Sequence, residues 1–135
     1  MAVKAVARGP FSVKRTVEAV RDPLNGLLGQ HALDKTYEGD LAGSAFGTMI
    51  SAGAAVPGSA GYVAIERVDG ALNGRAGTFY LQHAGILNRG AASLTITVIP
   101  DTGTADLAGL TGEMTIRIEP GGAHVYEFAY DLPDA

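Results

Sequence analysis

The chain has 135 residues, 10 basic against 14 acidic, for a net charge of -4. That size fits one domain, residues 1–135, able to bury a core without metals or crosslinks. At 47% hydrophobic and 18% charged residues it is no disordered chain. The acidic balance argues against a nucleic-acid or anionic-membrane partner, and the lack of cysteine excludes disulfides, thiolate metal sites and cysteine nucleophiles.

The opening MAVKAVARGP has no apolar stretch of signal-peptide length, and no segment nears the roughly 20 apolar residues of a membrane span. A cytoplasmic protein is expected. Phe11, Val13 and Val17 then alternate with Ser12, Lys14 and Thr16, the period of a strand. Val17, Val20, Leu24, Leu27 and Leu28 have near-helical spacing, interrupted by Pro23 and Gly26. Residues 1–35 therefore read as a first strand and a long loop with a helical turn, either covering a barrel mouth or simply connecting. Tyr37, Gly39 and Leu41 alternate with Glu38 and Asp40, and Ala45–Val56 is a mostly apolar run.

Tyr62–Leu72 and Arg75–Gly85 flank Asn73-Gly74, the strongest short-range signal for a two-residue hairpin turn. That turn pairs Leu72 with Arg75, Glu66 with Leu81, Ala64 with His83 and Tyr62 with Gly85. Cross-strand partners share a face, so Tyr62, Glu66, Val68, Phe79, Leu81 and His83 lie together. With Val68, Phe79 and Leu81 as core, Glu66 and His83 point inward as diagonal neighbours. A buried carboxylate beside an imidazole is a candidate acid/base pair; the alternative is a hydrogen-bonded network with no chemistry.

Leu94, Ile96 and Val98 form a further strand, as do Met114, Ile116 and Ile118, and then His124, Tyr126, Phe128 and Tyr130. A three-residue loop, Pro120-Gly121-Gly122, mates Ile118 with His124 and sends His124 and Tyr126 inward. About eight strands with frequent turn signals predict an all-β, small antiparallel barrel.

Asp101-Thr102-Gly103 shares letters with aspartic proteases but reads as a turn after a strand. Gly103, Gly109 and Gly112 read as turn glycines between strands. The dispersed His31, His83 and His124 give no metal motif, and no nucleotide fingerprint is present; neither a metal nor a cofactor is expected.

Four segments resemble one family when taken together. They are Tyr37-Glu38-Gly39-Asp40-Leu41, Gly58–Gly85, Val98–Gly112 and His124–Leu132. The chain from about Thr36 to Leu132 resembles the bacterial domain of unknown function 3224 family, whose structures look like the allene oxide cyclase barrel. The resemblance implies an eight-stranded antiparallel barrel, often a dimer or higher homo-oligomer. It implies no established activity. Related cyclase barrels hold an apolar substrate in shape, but none of their functional residues can be matched here.

The expected function is small-molecule binding within the barrel, extending to a cofactor-independent isomerase, cyclase or lyase. Glu66 and His83 would be the catalytic pair. Tyr62, Phe79, Leu81, Tyr126 and His124 would contact a small apolar ligand, with Tyr62 or Tyr126 donating a hydrogen bond. The rivals are a ligand carrier without chemistry, and a structural or interaction protein whose barrel is filled by side chains.

Overall fold

Asn73 and Gly74 both have positive φ, 46° and 87°, the backbone of a type I′ turn. The turn sets Leu72 opposite Arg75, Glu66 opposite Leu81 and Ala64 opposite His83, the register read from the sequence. In the computed structural model, which describes residues 2–21 and 27–133, this hairpin is the centre of a closed antiparallel barrel. Its strands are β1 (Ala2–Glu18), β2 (Leu28–Tyr37), β3 (Leu41–Gly53), β4 (Ala60–Leu72), β5 (Arg75–Asn88), β6 (Ala91–Val98), β7 (Thr111–Ile118) and β8 (His124–Pro133). Each pairs with the next, and β8 closes on β1. The last hairpin also has the expected register, Ile118 opposite His124 and Met114 opposite Phe128.

Three expectations from the sequence are corrected. Tyr37–Leu41 is not a strand. Tyr37 ends β2, Leu41 begins β3, and Gly39 turns between them at φ 90°. Glu38 and Asp40 donate their amides to the carbonyls of Pro10 and Arg8, so this turn docks on β1. Residues 1–35 are not one strand and a long loop, because β1 runs to Glu18 and β2 already starts at Leu28. Leu33, Lys35 and Tyr37 alternate inward there, but a lysine at an inward position hid the pattern. The helical turn expected around Pro23, Leu24 and Gly26 lies outside the described residues. Finally, the glycine-rich link after β6 holds a short 3-10 helix, Ala105–Leu107, and Gly112 belongs to β7. The Asp101-Thr102-Gly103 segment is a turn: Thr102 Oγ1 donates to the Ile99 carbonyl and accepts from the Tyr80 amide.

The two ends of the barrel differ. One end is filled. Leu41, Leu72, Phe79, Leu81, Val98, Phe128 and Leu132 are buried there, and the 99–110 link folds Leu107 and Leu110 over them. Apolar burial of this kind supplies most of the folding free energy, about 1.5–3 kcal/mol for each fully buried large side chain.

The other end is open along one side. β6 and β7 pair only at Ile96↔Met114 and Thr97↔Glu113, and β8 reaches β1 no further than His124↔Phe11. The wall formed by β7 and β8 thus stops short, while β1 continues to Glu18 beside β2 alone. Inward-facing apolar residues on this rim are left in solvent: Val17 is 77% exposed, Ile118 65% and Leu94 42%.

Candidate functional site

Between the filled end and the open end, the inner face carries three buried polar residues among those described, Lys35, Glu66 and His83. Strand alternation places each one. Glu66 lies inward on β4 because Ala64 and Val68 do. Its cross-strand partner on β3 is Gly47, where any side chain would collide with Glu66 itself. The missing Cβ leaves the carboxylate its space. His83 follows Leu81 on the inner face of β5.

Glu66 is fully buried and receives three contacts through its two oxygens. Tyr37 Oη donates to Oε1 at 2.6 Å. His83 Nε2 lies 3.3 Å from the same oxygen. Lys35 Nζ sits 3.0 Å from Oε2, an ion pair whose direction falls outside hydrogen-bond geometry. Lys35 also stands over the rings of Phe11 and Tyr37, 5.4 and 5.9 Å from their centroids, a favourable place for a desolvated cation.

Burial pushes the Glu66 carboxyl towards the neutral acid. The His83 hydrogen bond, the Lys35 charge and the Tyr37 hydrogen bond together outweigh that, so its pKa falls below the ordinary value. Glu66 is therefore a carboxylate at neutral pH. The Tyr37 phenol is driven well above its ordinary range, first by burial and then by the Glu66 charge. It remains a neutral donor.

An ionised Glu66 fixes the imidazole. A carboxylate only accepts hydrogen bonds, so His83 must present Nε2–H to it. In the neutral ring the lone pair then sits on Nδ1, which takes no hydrogen bond from the described residues. That nitrogen keeps a free lone pair, on a ring that is itself buried.

The sequence named Tyr62, Phe79, Leu81, Tyr126 and His124 as ligand contacts, and the structure separates them. Tyr62 lies 6.4 Å from His83, centroid to centroid. Its ring rests on Gly85, its cross-strand partner, where an added Cβ would collide with the ring. Tyr62 lines a cavity of about 430 Å³ at the open end, together with His31, Met49, Ser51, Leu87 and Leu94.

Phe79 and Leu81 do not line it. Both are completely buried in the filled half, with Phe79 stacked on Phe128. Tyr126 does not line it either. Its hydroxyl donates to the Glu38 carbonyl at 2.6 Å and accepts the Leu41 amide at 2.8 Å, clamping the β2–β3 turn. His124 stands at the low wall of the open end, edge-on to Phe11 at 5.4 Å. Sequence reasoning missed Lys35 and Tyr37 as members of the Glu66 cluster. The signal was the inward alternation Leu33, Lys35, Tyr37, legible once β2 is recognised.

The sequence pattern of the family described as "Protein of unknown function (DUF3224)" matches residues 7–130. The chain belongs to the DUF3224 family. Its fold is also that of a crystallised DUF3224 protein of unknown function from Shewanella oneidensis MR-1. The two are 46% identical over 98% of this chain and 100% of that one, with a TM-score of 0.92. No curated protein matches the chain. Membership brings the barrel, and neither a substrate nor a reaction comes with it.

Proposed function

We propose that this DUF3224 barrel binds a small, mainly apolar molecule in its open end, with His83 facing it as a hydrogen-bond acceptor or general base. The observation that carries this reading is the placement of Tyr62. One ring both lines the 430 Å³ cavity and neighbours a histidine whose orientation is set by a buried carboxylate. The cavity falls in the size range of small-molecule sites, roughly 300–1,000 Å³. Its lining is mostly apolar, with a few polar groups to fix orientation.

The chemistry open to such a site is proton transfer within a bound molecule, which suits a cofactor-independent isomerase, cyclase or lyase. His83 Nδ1 takes a proton and the Glu66 carboxylate stabilises the imidazolium that forms. Lys35 and Tyr37 keep Glu66 ionised and in place. The half-filled lumen speaks against a barrel packed end to end by its own side chains.

Native mass spectrometry of freshly purified protein, followed by denaturing extraction, tests the reading. A retained apolar molecule that is displaced in a Tyr62→Ala variant of unchanged fold supports it. Protein that is empty, and stays empty after exposure to a library of small apolar compounds, overturns it.

A further inference from the structure

The open-end cavity contains a polar feature that apolar binding does not use. His31 faces inward on β2, in the same cross-barrel row as Met49, Ala64 and His83. Its Nδ1 is buried and has no hydrogen-bond partner among the described residues. A buried ring nitrogen left unpaired is costly, and each such group calls for an explanation. Arg15, on the neighbouring strand β1, borders the same cavity. Among the described lining residues there is no carboxylate, so the one formal charge at the cavity is positive, in a chain that carries a net charge of -4.

We infer that the open end takes an apolar molecule bearing a single carboxylate, held by Arg15 and His31. This rests on the small-molecule reading above and adds the ligand's head group. Arg15 offers a planar pair of N–H donors that matches a carboxylate. His31, bordering the same cavity, supplies a second polar contact as its ring turns towards the bound head group. Met49, Leu87 and Leu94 take the hydrocarbon part, which extends towards Tyr62. One guanidinium balances one negative charge, which favours a monocarboxylate over a doubly charged phosphate.

The test is calorimetric titration with decanoate and with decan-1-ol, each below its aggregation concentration, on the intact chain. They share a hydrocarbon tail and differ in the head group. Decanoate is expected to bind at least about tenfold more tightly than the alcohol, the size of one charge-assisted contact. Arg15→Gln should remove that advantage and leave decan-1-ol within about twofold. Arg15→Lys should restore part of it, and His31→Leu should weaken decanoate alone. Equal binding of the two compounds, or decanoate binding unmoved by Arg15→Gln, overturns the carboxylate inference while leaving the apolar cavity standing. Binding of neither compound removes both. Circular dichroism melts of each variant separate lost binding from lost folding.

Discussion

Glu66 and His83 leave neighbouring strands two residues out of step, yet His83 Nε2 lies 3.3 Å from Glu66 Oε1. The diagonal is within reach because both side chains point into the same lumen. Lys35, one strand beyond Gly47, approaches the other carboxylate oxygen at 3.0 Å. The three residues and Tyr37 form one unit in which removing a member leaves another unpaired.

Replacing Glu66 by Gln should therefore destabilise the fold strongly. Removing one partner of a buried ion pair costs about 3–5 kcal/mol, because the other charge stays buried. The double variant Lys35→Met, Glu66→Leu removes both charges and should recover most of that loss. Denaturant titration measures the difference. A Glu66→Gln protein as stable as the parent would show that Lys35 is not a buried cation.

The same cluster sets the acid limit of stability. Glu66 has a folded pKa below its ordinary value of 4.5, so the unfolded chain takes up its proton first as pH falls. Its contribution is complete above that value and is lost as pH drops through the folded pKa. Tyr37, Tyr62 and Tyr126 are raised from 10.0, so theirs is complete below 10.0 and lost as pH rises through the higher folded values. Melting temperatures should fall from about pH 5 to about pH 3, with a shallower fall in Glu66→Gln. A parent curve flat across that range would contradict the assignment.

Tyr126→Phe removes only the hydroxyl that bridges the Glu38 carbonyl and the Leu41 amide. A loss of about 1–3 kcal/mol is expected, with the unpaired Leu41 amide at the upper part of that range. Hydrogen exchange at Leu41 should quicken, while binding at the open end is unchanged. A variant that loses binding but not stability would return Tyr126 to the ligand site.

Much of the barrel was legible because its hairpins announce their registers. Asn73-Gly74 alone placed Glu66, His83 and Tyr62 on the inner face. The beginning was not legible. Lys35 sits inside on β2 because Glu66 balances it, and a pattern reader expects lysine outside. Pairing of β2 with β1 and β3 overrides the propensities of that stretch. Phe79 and Leu81 share a face with His83, but sequence alone cannot say how far along the barrel the packing extends. Tyr126 misled for a related reason: its hydroxyl partners are backbone groups of a distant turn.

Self-association is expected through the outer face. Phe46, Ile50, Val63, Ile65 and Ile86 stand outward on the adjacent strands β3, β4 and β5, each 42–66% exposed. Exposed apolar side chains clustered on three adjacent strands mark an association face, and a two-fold pair of identical faces is the common way to cover one. Sedimentation should find a dimer or higher oligomer, and Phe46→Asp with Ile65→Asp should yield monomers. A monomeric parent at high concentration would refute this.

The most direct measurement is nitrogen NMR of histidine-labelled protein before and after saturation with the molecule recovered from it, or with decanoate where none is recovered. The free protein should show His83 protonated on Nε2 with an unprotonated Nδ1 when the ring is neutral. Binding should shift the Nδ1 resonance and leave Nε2 in place against Glu66. A His83 pair of resonances unmoved by a saturating ligand would contradict the claim that this histidine faces the bound molecule.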